Sequence, residues 1–152
     1  TAALSLLLVV AIVAQQFTGT TEVHALESHE GLLALPVETI NEQASFFSYE
    51  LDGTYMEFFA VKDAHGHIVT GMNTCYSCYN SGKGYFTQQG NDFVCNNCGN
   101  HYPLDSHNNE HATTECAPVP ITEDMLQQEG DQLYIKAESL SRYTPLFSQW
   151  QR

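Results

Sequence analysis

Positive charge is scarce in this chain. Lys and Arg total 5 against 18 Asp and Glu, a formal net charge of -13, and neither basic residue occurs before Lys62. Nucleic acids and anionic lipid surfaces are held by basic side chains, so this balance argues against both and favours cations or a basic protein partner. Several chemistries also lack their sequence marks. There is no HExxH pair, no glycine-rich nucleotide loop and no hydrolase-like order of Ser, His and Asp, which leaves hydrolysis without a nucleophile other than cysteine. No CxxCH occurs, which argues against covalent c-type haem. A non-enzymatic role as a carrier is the expectation that survives.

The cysteine count, 5, is odd. Five thiols cannot all pair within one chain, whereas four ligands and one further thiol need no intermolecular bond. Their spacing is specific: Cys75-Tyr-Ser-Cys78, sixteen residues, Cys95-Asn-Asn-Cys98, then Cys116. A two-residue gap places two sulfurs on one tight turn, and two such turns brought together offer four thiolates at tetrahedral spacing. Zinc, a single iron or an iron-sulfur cluster all suit such a set. The competing reading, two disulfide-closed CxxC turns, is weaker because such strained bridges are usually redox-active and not structural. Cys75, Cys78, Cys95 and Cys98 are the expected ligands. Cys116, beside Pro118, is a candidate fifth ligand, supporting thiol or small buried side chain, and His101, three residues past Cys98, is a candidate donor. Tyr76, Tyr79, Tyr85 and Tyr102 are placed either to cap the site against water or to fill the sheet core. His24 and His29 read as solvated.

At 152 residues the chain supports one domain with a real core plus a tail or anchor. Residues 1–14 are apolar apart from Thr1 and Ser5. As a helix this run would span about 21 Å, short of the roughly 30 Å hydrocarbon core unless it continues through Phe17 or starts before Thr1, which is not a start methionine. The expected organisation is a hydrophobic helix over 1–17, a polar linker over 18–31 and a β-rich four-cysteine metal domain over 32–152. A helix apolar on every face must be buried by lipid, as a membrane anchor, or by copies of itself, as in a pilus-like extracellular filament.

From Leu33 onward the pattern is that of short strands. Residues 46–51 and 55–61 flank an Asp52-Gly53 turn; Gly66 separates them from 67–70, which leads into Cys75; residues 84–87 and 93–94 flank a turn at 90–92 and deliver Cys95. Val119-Pro-Ile121 and residues 132–136, either side of a polar segment ending in Gly130-Asp131, read as a last hairpin. Leu33-Ala-Leu-Pro-Val-Glu38 is echoed by Leu133-Tyr-Ile-Lys-Ala-Glu138, with Phe47 and Phe147 extending the echo.

Met72-Asn-Thr-Cys75-Tyr-Ser-Cys78-Tyr-Asn-Ser-Gly-Lys-Gly-Tyr85, Val94-Cys-Asn-Asn-Cys-Gly99, Pro103-Leu104 and Cys116-Ala-Pro-Val-Pro120 resemble the FtrD-like membrane iron-sulfur family, over about residues 32 to 147. That resemblance implies a membrane-attached, extracytoplasmic redox domain with a link to iron uptake and a redox partner protein. A looser similarity is to Rieske domains, whose [2Fe-2S] ligands follow a C-x-H, spacer, C-x-x-H pattern on two loops of a small β structure. Cys98 stands where the second histidine of that pattern would stand, and Gly99-Asn-His-Tyr102 follows as in Rieske loops. The first pair departs, since its gap is two residues and Cys78 replaces histidine. All-cysteine ligation lies at lower potential than the Rieske type. The expected fold is therefore mainly β, a small antiparallel Rieske-like or rubredoxin-like metal domain behind an N-terminal hydrophobic α-helix. The expected cofactor is an iron-sulfur cluster, [2Fe-2S] before [4Fe-4S], with zinc as the alternative.

Overall fold

Strands β3 (Ser45–Leu51) and β4 (Thr54–Lys62) form the hairpin around Asp52-Gly53 in a computed structural model, which describes residues 21–104 and 116–152. Both turn residues have positive φ, 51° and 79°, the backbone of a two-residue turn whose twist matches that of the strands it joins. Strand β5 (Ile68–Met72) pairs antiparallel with β4. Two short edges complete this sheet: β1 (Val23–Ala25), parallel to β3, and β9 (Val119–Pro120), antiparallel to β5. The order is β1-β3-β4-β5-β9.

Two smaller antiparallel sheets flank it. One joins β2 (Leu32–Leu35), β10 (Leu126–Glu129) and β11 (Gln132–Lys136) in the order β10-β11-β2; the other joins β6 (Phe86–Gln89), β7 (Asp92–Cys95) and β8 (His101–Pro103) in sequence order. Because side chains alternate along a strand, β4 serves two cores at once. Met56, Phe58 and Ala60 join Leu33, Leu35, Ile135 and the C-terminal side chains in one cluster. Phe59 and Val61 face the other, with Phe86, Phe93, Cys75, Cys78 and Cys95. The Phe59 and Phe93 rings meet at 4.4 Å between centroids, and each such buried ring is worth about 1.5–3 kcal/mol relative to exposure. The chain closes with consecutive 3-10 turns over Ala137–Phe147, whose Leu140, Leu146 and Phe147 are buried in the first cluster.

The mainly β, antiparallel architecture is the one expected, with corrections in detail. Residues 132–136 do not pair with 119–121. Their hairpin partner is β10, Leu126–Glu129, inside the segment that reads as polar, while Val119 and Pro120 pair with Met72 and Gly71. An edge strand exposes one side to water, so Gln127, Gln128 and Glu129 are compatible with β structure, and proline is confined to an edge because it lacks an N–H. The echoed segments are spatial neighbours: Leu33 pairs with Ile135 and Leu35 with Leu133, so equivalent leucines lie in one antiparallel ladder. Val23–Ala25, within the span expected as linker, is strand β1. The expected helix over 1–17 lies outside the described residues; among those described, no helix is long and apolar enough to cross a membrane.

Candidate metal centre

The two CxxC pairs are built alike. Cys75 and Cys78 follow β5 on a turn that ends in the 3-10 residues Tyr79–Ser81, while Cys95 closes β7 and Cys98 lies on the turn between β7 and β8. In the first, the Cys78 N–H donates to the Cys75 sulfur at 3.1 Å and the Tyr79 N–H to the Cys75 carbonyl at 3.1 Å. In the second, the N–H groups of Asn97 and Cys98 donate to the Cys95 sulfur, and the Gly99 N–H to the Cys95 carbonyl at 2.8 Å. Each turn thus aims backbone donors at its first sulfur, which favours the thiolate that a metal requires.

The third element is Cys116, at the head of the segment entering β9. Its sulfur stands 3.5 Å from that of Cys75, 3.8 Å from that of Cys78 and 3.3 Å from that of Cys98. The sulfurs of Cys75, Cys78, Cys95 and Cys116 all lie within 4.8 Å of one another. All five thiols are free. Cys75, Cys78 and Cys95 are buried, Cys116 is half-buried and Cys98 is exposed. The structure therefore brings all four predicted cysteines to one place and draws in the fifth. It does not draw in His101, whose Nδ1 lies 3.1 Å from an Asp92 carboxylate oxygen on an exposed strand. Of the four tyrosines, only Tyr102 packs against the cluster that contains the cysteines; Tyr79 packs on the other core, Tyr85 on Trp150, and Tyr76 is exposed. Tyr79 thus takes the core-filling role, the other one expected of these tyrosines.

Burial pushes the Cys75 thiol up to about 11, although the Cys116 thiol and the Cys78 N–H work against it. Cys95 is raised by burial too, and Cys116 is raised by burial and then by the crowd of thiols beside it. Cys98 moves the other way, lowered first by the Asn100 N–H. Crowded, desolvated thiols that resist ionisation together are what a bound cation relieves, since its charge replaces the protons. The donor set is soft and all-sulfur, which fits zinc or thiolate-bound iron and fits magnesium or calcium poorly.

Beneath the first turn lies a polar network that the sequence conceals. Asn73, fully buried, donates from Nδ2 to Glu57 Oε1 at 2.7 Å, accepts the Phe86 N–H at Oδ1 at 2.7 Å and accepts the Trp150 indole N–H at its carbonyl at 2.9 Å. It ties the central sheet to the cysteine-bearing sheet two residues before Cys75. Glu57, fully buried on β4, also accepts from Tyr55 at 3.2 Å and pairs with Arg152, whose guanidinium lies 4.9 Å from the Phe46 ring centre. Burial raises the Glu57 pKa, opposed by Asn73 and then by Arg152. The Gly82-Lys-Gly84 motif has a steric cause. A Cβ on Gly84 would stand 2.7 Å from the Cys78 carbonyl carbon, and Gly82, at φ 74°, accepts the Gln151 N–H at 2.7 Å.

The family model described as "Membrane iron-sulfur containing protein FtrD-like" matches residues 40–147, a span that contains all five cysteines. No curated protein and no solved structure matches the chain. With the matched span covering most of its length and the thiol cluster at its centre, the chain belongs to the FtrD-like family of membrane iron-sulfur containing proteins.

Proposed function

We propose that this chain is an extracytoplasmic, membrane-attached electron-transfer protein whose two CxxC turns, with Cys116, hold a thiolate-bound iron centre. The observation that carries the reading is the convergence of five free thiols at one point between two sheets, three of them buried. Iron held by thiolates supplies one-electron chemistry at low potential. The chain's own residues do the rest: backbone N–H groups at the Cys95 sulfur stabilise negative charge, Phe59, Phe86 and Phe93 exclude water from the inner side, and the exposed turn from Asn96 to Asn100 brings the site to the surface. A net charge of -13 suits a redox partner with a basic docking face. The apolar run over 1–17 provides the attachment, through lipid or through copies of itself, and we infer that iron uptake is the destination of the electron.

The thiol spacing bears on nuclearity. Two thiolates bonded at about 2.3 Å to one tetrahedral ion stand roughly 3.8 Å apart, and four of the sulfurs lie within 4.8 Å of one another. A single iron fits this spacing as it stands; the [2Fe-2S] form expected from the sequence requires the turns to separate. The same spacing favours a second reading, structural zinc. Protein purified without oxygen decides: iron by elemental analysis with a visible absorption that bleaches on reduction is expected, whereas colourless protein with one zinc overturns electron transfer.

A further inference from the structure

One tetrahedral ion takes four sulfurs, and this site offers five. Spacing along the chain selects Cys75, Cys78, Cys95 and Cys98, but spacing in the fold selects a different four. The mutually close set is Cys75, Cys78, Cys95 and Cys116. Three of these are buried and Cys116 is half-buried, while Cys98 is exposed with its sulfur 3.3 Å from that of Cys116. Asn100 holds Cys116 in this place, donating from Nδ2 to its carbonyl at 3.0 Å.

We propose that Cys116 is the fourth ligand of the metal centre and that Cys98 is an unliganded, solvent-facing thiol held against it as an oxidisable partner. The proposal rests on the thiolate-centre reading above. Its chemical consequence is a two-electron reaction with a hydroperoxide. The Cys98 sulfur attacks the O–O bond of hydrogen peroxide, becoming a sulfenic acid while the other oxygen leaves as water. The Cys116 sulfur then attacks the Cys98 sulfur, the second oxygen leaves as water, and the S–S bond forms. Two thiols lose two electrons, and one peroxide becomes two waters. The sulfurs need to close only from 3.3 Å to about 2.05 Å. Forming that bond takes a ligand from the metal, so oxidation of Cys98 and opening of the centre become one event. The contacts of Cys75 and Cys78 with Cys116, at 3.5 and 3.8 Å, involve buried sulfurs that peroxide reaches later.

Iodoacetamide labelling of the metal-loaded full chain, read by peptide mass spectrometry, tests the ligand set without any substitution. Cys98 should be labelled and the other four protected until a chelator strips the metal. Labelled Cys116 with protected Cys98 overturns the proposal. Cys98→Ser should keep a full complement of metal and Cys116→Ser should lose most of it; loss of metal from a folded Cys98→Ser variant, judged by circular dichroism, overturns it as well. Hydrogen peroxide should then release metal and yield a Cys98–Cys116 disulfide in the parent chain, with metal retained in Cys98→Ser. If the parent chain binds no metal at all, the thiolate-centre reading fails. Disulfide mapping of the oxidised metal-free chain still tests the pairing, and a Cys95–Cys98 bridge in its place overturns it.

Discussion

The two CxxC turns share their internal hydrogen bonding and differ in everything outside it. The first has both its sulfurs packed inside, with only Tyr76 and Ser77 at its tip exposed. Cys75 and Cys78 are buried, Gly84 has no room for a Cβ against the Cys78 backbone, and the C-terminal segment clamps the turn through Gln151 to Gly82, Trp150 to Asn73 and Thr74 to Leu146. The second projects from a hairpin, with Asn96, Asn97, Cys98, Gly99 and Asn100 exposed. The same four-residue chemistry is thus set once as an anchor and once as an opening. A centre shared between them is fixed from one side and reachable from the other, which suits exchange of an electron across a short distance.

Adding one methyl group to the anchored turn gives the sharpest test of this asymmetry. Gly84→Ala places a Cβ 2.7 Å from the Cys78 carbonyl carbon and 2.9 Å from the Tyr79 nitrogen, and backbone atoms cannot turn aside as a side chain can. A loss of about 3 kcal/mol in denaturant unfolding is expected, at the upper end for overpacking, together with weakened metal retention. A loss near zero would show that the first turn is free to move.

Asn73→Ala comes next. It removes the acceptor of the Phe86 N–H and one donor to Glu57, both buried, and an unsatisfied buried group costs about 1–3 kcal/mol. We expect roughly 2 kcal/mol of destabilisation, since Glu57 keeps Arg152 and Tyr55. Asn73→Asp keeps the acceptor but sets a second carboxyl against Glu57. Its deficit should shrink as pH falls and the pair takes up protons; a deficit independent of pH would mean that the two carboxyls do not meet.

The anchored turn is also the one whose supports are least legible in the sequence. The pairs Cys75/Cys78 and Cys95/Cys98 declare themselves by a gap of two, a local property. Cys116 does not, because its place beside them is set by β9 pairing with β5 at Val119 and Pro120, a long-range contact with no local signal. Glu57 misleads in a different way. In alternation with Met56 and Phe58 it occupies what reads as the wet face of a strand, yet that face is covered by the cysteine-bearing sheet, so a charge that should be solvated is buried and paired. The hint available in advance was the run Phe58-Phe59, apolar on both faces, which marks a strand buried on both sides. For β10 the failure is the reverse: its glutamines hide an edge strand, and only the Gly130-Asp131 turn betrays the hairpin.

The smallest effect belongs to the open turn, and its smallness is the point. Gly99 has φ 73°, in the left-handed region, but a Cβ there would meet nothing within 4 Å. Gly99→Ala therefore meets only the intrinsic backbone cost of an L-residue in that region, roughly 1 kcal/mol, with none of the steric clash at Gly84. Gly99→Asn should recover part of even that, because asparagine tolerates the left-handed conformation better than alanine. Thermal unfolding of the three chains, read with metal content, checks both statements. If Gly99→Ala costs as much as Gly84→Ala, or asparagine does no better than alanine, the second turn is held by packing like the first, and the division into an anchor and an opening fails.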